Sequence, residues 1–194
     1  MARGTNPLSE NQKARLRGKV IQGAKNFDQY LNGKCFKIVC DDGSETVVRF
    51  FQKDFKHLSG IDSDLNVQDF YDRCLNSTIS TGNILTNQKY NWATLKSKSD
   101  RIEIIHDLLY TDAEKTLLLN DLNTHTAVMP VAIRNDALKT CVGFMDTVNK
   151  ARSLRKASNS QDAKETKKIV AIFGQKNGES DFSELVYQAK SSTT

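Results

Sequence analysis

The chain has 194 residues, 38% of them apolar and 26% charged, with a mean hydropathy of −0.52. That composition excludes a disordered chain and predicts one domain, or one domain with an appended segment, long enough to bury a core without metal or disulfide staples. The formal charge is +5; no apolar run reaches the ~18 residues of a membrane-spanning helix, and no apolar stretch follows the basic N-terminus as in a secretory signal, so the expected compartment is the cytoplasm.

In chain order, the first element is a helix. Pro7 marks its boundary, and Ser9 and Gln12 have capping-box spacing. Leu16, Val20, Ala24, Phe27 and Leu31 then recur every three or four residues as one apolar stripe. Asn32-Gly33 closes it, so residues 1–33 are expected as an N-terminal basic helix. A hairpin follows. Phe36, Ile38 and Cys40 alternate with other residues, Asp41-Asp42-Gly43-Ser44 is turn chemistry, and residues 46–51 are the return strand. The next stretch starts as a helical turn at Gln52 and breaks at Gly60, and Val67, Phe70, Tyr71, Cys74 and Leu75 have helical spacing.

The middle third reads as helix again. Asp100 with Glu103, and Thr111 with Glu114, resemble caps ahead of the apolar runs 104–109 and 117–122. Tyr90 and Trp92 are packing anchors in a polar link over 76–99. From Thr124 the period is two. Val128, Val131 and Ile133 read as a strand that Pro130 forces to an edge or bulge, and Asn135-Asp136 turns into a strand through Leu138, Cys141, Val142 and Phe144. Residues 167–174 form a third strand, and Phe182, Leu185 and Tyr187 a fourth after a Lys176-Asn177-Gly178 turn. Residues 150–166, rich in Ser, Ala and charge with no apolar period, are expected as a mobile insertion between strands. The fold class is α+β: an antiparallel sheet with an N-terminal helix and a helical insertion, in one domain over 34–190 with a tail of 191–194.

Cys35, Cys40, Cys74 and Cys141 lack Cys-x-x-Cys spacing and His partners, so reduced core thiols are expected, with no metal and no cofactor. The chain has no Walker loop, dinucleotide fingerprint, Gly-x-Ser-x-Gly elbow or His-Glu-x-x-His. The acidic pairs Asp41/Asp42 and Asp62/Asp64 sit in turn-forming contexts. Charge is segregated: residues 1–35 and 150–168 each carry +5. Such segregation points to a polyanion partner, with Lys150, Arg152, Arg155 and Lys156 as nucleic-acid-binding candidates, against the alternative of a solvated surface. Of the histidines, His106 and His125 read as structural or exposed, whereas Arg49, Lys53, Lys56, His57 and Ser59-Gly60 concentrate groups suited to phosphate chemistry.

The segments Phe36-Lys37-Ile38-Val39, Val48-Arg49-Phe50-Phe51-Gln52-Lys53-Asp54-Phe55-Lys56-His57-Leu58-Ser59-Gly60-Ile61 and Phe70-Tyr71 resemble the phage- and mobile-element-associated branch of the barnase–EndoU–colicin–RelE-like nucleases. Residues 168–173 and 182–187 resemble its closing strands. The resemblance implies a metal-independent endoribonuclease on an antiparallel sheet, acting as a toxin or in conflict between mobile elements and hosts. It makes His57 the general acid/base, Lys53, Lys56 and Arg49 phosphate-binding or transition-state-stabilising groups, Ser59 a polar contact and Tyr187 a further candidate. RNA is the implied partner, with an antitoxin or immunity protein beside it. Two other readings stay open: a non-catalytic binding module or inhibitor on the same fold, and a DNA-acting nuclease that requires magnesium.

Overall fold

The computed structural model describes residues 6–125, 127–145, 147–175, 179 and 181–190. The elements run β1 (Asn6–Pro7), α1 (Glu10–Tyr30), β2 (Cys35–Cys40), β3 (Glu45–Arg49), α2 (Gln52–Ser59), α3 (Val67–Leu75), β4 (Asn87–Gln88), α4 (Trp92–Ile104), β5 (Thr116–Asn123), β6 (Val128–Asn135), β7 (Thr140–Met145), β8 (Lys150–Lys156), β9 (Ala163–Gln175) and β10 (Glu184–Gln188). They form a helical unit, drawn from residues up to 32 and from 52–105, and a sheet unit, drawn from 33–51 and from 106 onward. α1 falls in the helical unit with α2, α3 and α4.

In the helical unit, α1 begins where the capping-box spacing placed it. Gln12 N–H donates to Ser9 Oγ at 3.3 Å, and Ser9 N–H donates to Gln12 Oε1 at 2.9 Å. Leu16, Val20, Ala24, Phe27 and Leu31 are all fully buried. Phe27 meets Phe55 of α2 and Tyr71 of α3 edge-on at 5.5 and 6.2 Å, and Phe55 meets Tyr71 at 5.3 Å. Each such pair contributes about 0.5–1.5 kcal/mol beyond the burial itself. Tyr71 is fully buried, and its hydroxyl donates to Asp28 at 2.9 Å. Several α1 cations are also used internally. Arg17 donates to the Ser77 carbonyl at 3.3 Å, Lys19 pairs with Asp100 at 3.3 Å and with Glu103, and buried Lys13 pairs with Glu10 at 3.1 Å.

The sheet unit departs from a simple antiparallel sheet. Strand β9 pairs with β2 on one edge and with β5 on the other, so β9-β2-β3-β8-β7-β6-β5 close into a seven-strand barrel, and β10 adds to β9 outside the ring. Closure removes the exposed edges that an open sheet would leave. It depends on the length of β9, whose residues 163–168 serve β5 while 169–175 serve β2. The seam between β3 and β8 is the one parallel pair among the described strands, at Arg49 and Lys150. Alternation in β2 buries Phe36, Ile38 and Cys40. Phe50 packs edge-on against Phe36 at 6.0 Å and Phe144 at 5.5 Å.

Three expectations are corrected. Residues 117–122 lie in strand β5 rather than a helix, because pairing with β6 and β9 on both sides outweighs the helix preference of leucine. The helix of the middle third is instead α4, capped by Asn91 at 2.9 Å from Thr94 N, with Asp100 in its interior. Residues 150–166 are not an unstructured insertion: β8, a 3-10 turn at Ala157–Asn159 and the start of β9 occupy them. Buried Ala151 and Leu154 supply the inward contacts of β8, and a register shift opposite Gly143/Phe144 hides the strand period in the sequence. The Lys176-Asn177-Gly178 turn and the tail 191–194 lie outside the described residues. No helix among the described residues is long and apolar enough to cross a membrane.

Candidate functional site

The His-Leu-Ser-Gly motif is the C-terminal end of α2, and each of its positions has a distinct task. Leu58 is fully buried. Ser59 is also fully buried; its hydroxyl donates to the Lys56 carbonyl at 2.7 Å and accepts from Ile61 N–H at 3.3 Å, which ties off the last turn. Gly60 has φ +70°, a left-handed cap, and a Cβ there would lie 2.6 Å from Lys98 Cδ. His57 is the exposed member, and Lys53, one turn earlier on the same helical face, is exposed as well. Lys56 turns to other work: its ammonium donates to the carbonyls of Ser63, at 3.3 Å, and Leu65, and lies 5.8 Å from the Phe70 ring centre. Of the motif's polar residues, Ser59 and Lys56 hold the helix end and the following loop, while Lys53 and His57 face outward.

The remaining sequence candidates belong to the sheet unit. Arg49 is half-buried, donates to the Val148 carbonyl at 3.5 Å, and has Lys150 as its register partner across the barrel seam. Two cations named for different reasons are thus neighbours. Arg152 and Lys156 are exposed on β8, and Arg155 Nε donates to Ser153 Oγ at 3.2 Å. Tyr187 on β10 pairs in register with Ile172; burial, reinforced by Glu114, pushes its phenol above the ordinary value, so it keeps its proton at neutral pH.

Sequence reasoning missed a cleft of about 700 Å³ in the sheet unit, lined by the β5–β6 connection (Asn123, Thr124, His125) and by Arg155, Ser158, Asn159, Gln161 and Asp162. Its two walls lie some thirty residues apart in the chain, so no local motif marks it. Its one legible sign was Arg155 in the basic segment. His125, set aside at sequence level, is one of its lining side chains.

All four cysteines are free thiols, and burial pushes Cys74 up to about 12 and Cys141 up to about 11, which keeps both inert at neutral pH. Among the described residues no group of three His, Cys, Asp or Glu side chains is placed to hold a metal ion. The acidic turn reads as expected: Asp42 accepts from Ser44 N–H at 3.0 Å and from Ser44 Oγ at 2.6 Å, and pairs with Lys167 at 2.8 Å. Lys167 and Ser44 together hold its carboxyl well below the usual range.

No curated protein and no solved structure matches the chain. The family described as phage-Barnase-EndoU-ColicinE5/D-RelE like nuclease4 matches residues 19–191. That span takes in most of α1, the whole of α2 with its motif, the seven strands of the barrel and β10. By this match across nearly its whole length, the chain belongs to the nuclease family of the phage-associated barnase–EndoU–colicin–RelE type.

Proposed function

We propose that the protein is a metal-independent endoribonuclease with His57 as general acid/base. Such an enzyme cleaves RNA when the ribose 2′-hydroxyl attacks the adjacent phosphorus. A base takes the hydroxyl proton, an acid returns one to the departing 5′-oxygen, and cations stabilise the charge growing on the phosphoryl oxygens. The products are a 2′,3′-cyclic phosphate and a 5′-hydroxyl. An imidazole can carry either proton near neutral pH. The observation that supports the reading is the division of labour within the motif: Leu58, Ser59 and Gly60 build the end of α2, while His57 is exposed there with Lys53 one turn away.

Lys53 serves as the electrostatic partner of the reaction, and Lys56 supports it by fixing the loop that follows. Arg49 and Lys150 at the seam, with Arg152, Arg155 and Lys156 along β8, hold the RNA backbone. Tyr187, protonated at neutral pH, is a donor in reserve rather than a base. A toxin role would add an inhibitor protein as partner. The competing reading is a non-catalytic RNA-binding module, and the structural employment of Lys56 and Ser59 favours it to that extent. Purified protein incubated with total RNA in chelator decides between them. Discrete fragments ending in a 2′,3′-cyclic phosphate are the expected result; intact RNA that nevertheless binds would assign the binding module, and cleavage only on adding magnesium would overturn the metal-independent mechanism.

A further inference from the structure

We propose that the cleft between the β5–β6 connection and the 157–162 segment is a nucleotide subsite that reads one base of single-stranded RNA. The inference rests on the ribonuclease reading for its choice of ligand, and deepens it by assigning where sequence preference arises. Its volume of about 700 Å³ suits a ligand of nucleotide size. The lining side chains are all polar: one guanidinium, one carboxylate, one imidazole, three side-chain amides and two hydroxyls. A single cation beside a set of mixed donors and acceptors matches a nucleotide, in which one phosphate adjoins a base edge bearing both.

The walls are built rather than incidental. Asn123 N–H donates to the Asp162 carbonyl at 2.8 Å, which joins the two segments. Thr124 Oγ1 donates to the Ala127 carbonyl at 2.6 Å, closing the β5–β6 connection. Beneath the opposite wall, the largely buried Arg134 donates to the Ser160 carbonyl at 2.9 Å and to Gln161 Oε1 at 3.1 Å. Gln161 Nε2 in turn donates to the Ala157 carbonyl at 3.2 Å. Asn123, Asn159 and Gln161 are all exposed at the cleft; Gln161 is tied at both amide atoms, while Asn159 accepts from Ser158 Oγ at 3.4 Å and keeps its amide donors for a ligand. Arg155 is anchored through Nε to Ser153, a bond that does not use its paired Nη donors, the pair that suits a phosphate. These assignments give Arg155 the phosphate, and Asn123 and Asn159 the base edge.

The test uses the full chain and four six-nucleotide homo-oligomers with 2′-O-methyl riboses, which cannot be cleaved by 2′-oxygen attack. Their binding is followed by fluorescence anisotropy in chelator. Wild type should bind one oligomer at least about tenfold more tightly than the weakest, since one well-formed base contact discriminates by roughly 1–3 kcal/mol. Asn123→Ala and Asn159→Ala should erase that preference and leave the weakest oligomer unchanged. Arg155→Ala should weaken all four alike, and Lys96→Ala, in the helical unit, should change nothing. A wild type without base preference, or amide variants that keep it, would overturn the subsite. The two readings fail separately. Cleavage of unmodified RNA with an unaltered preference in the amide variants removes the subsite alone, and a cleft-dependent preference without cleavage removes the catalytic reading alone.

Discussion

At the scale of single residues, environment sets what each titratable side chain does. His106 lies in a 3-10 turn with its side chain 14% exposed and Asp107 at 3.4 Å from Nε2. Burial pushes its pKa below the ordinary 6.5, and the Asp107 charge only partly opposes this. The folded state therefore prefers the neutral ring, while the unfolded chain takes up a proton at the ordinary value. Stability from this group is complete above about pH 6.5 and falls as pH drops below it. Urea unfolding between pH 7 and pH 5 should show that fall, and His106→Gln should flatten it; an unchanged pH slope in the variant would deny the residue this part. The two lysines of α2 divide in the same manner. Lys56→Met keeps the stem over Phe70 but loses the bonds to the Ser63 and Leu65 carbonyls, and should cost about 1–3 kcal/mol of stability. Lys53→Ala, at an exposed position, should cost less stability than Lys56→Met and should lower cleavage. Denaturant unfolding beside a rate measurement separates the two variants, and equal destabilisation by both would contradict the larger structural part given to Lys56.

Among the elements, the end of α2 and the bulge of β7 show why particular glycines are needed. Gly60→Ala must hold φ +70° with a side chain and push Lys98 aside, at a cost of about 1–2 kcal/mol. At Gly143 a Cβ would fall 1.9 Å from Met129 Sδ, so Gly143→Ala should destabilise the barrel by roughly 1–3 kcal/mol. Thermal unfolding checks both, and wild-type stability in either would contradict the packing described. These cases also mark how far the sequence can be read. The α1 stripe, its cap, the β2–β3 hairpin and the α2 break were legible because each is specified by neighbours within a few residues. The β5 strand was not: Leu117, Leu118 and Leu119 are good helix formers, and only β6 and β9, distant in the chain, make them a strand. In β8 the register shift breaks the alternation that would have announced it. The motif around His57 was local and could be found, while the cleft joins Asn123 to Asp162 across the fold and could not.

For the whole molecule, the +5 net charge matters less than which cations remain available. In α1, Lys13, Arg17 and Lys19 are committed to partners inside the helical unit, whereas Arg152 and Lys156 are exposed on an ordered strand. RNA affinity should therefore fall steeply with salt. Neutralising Lys150, Arg152, Arg155 and Lys156 together should reduce the slope of log K against log salt by roughly 3 at most, at about 0.7 per phosphate contact; an unchanged slope would mean that β8 does not touch RNA. Closure of the barrel, which an open antiparallel sheet did not anticipate, places that strand between β7 and β3. The central claim, that His57 carries the chemistry, has a direct measurement: the rate of RNA cleavage in chelator by wild type and by His57→Ala, with circular dichroism and RNA affinity recorded on both. The account predicts a loss of roughly 10²–10⁴ in rate with fold and affinity retained; a folded His57→Ala protein that cuts RNA at the wild-type rate would contradict it.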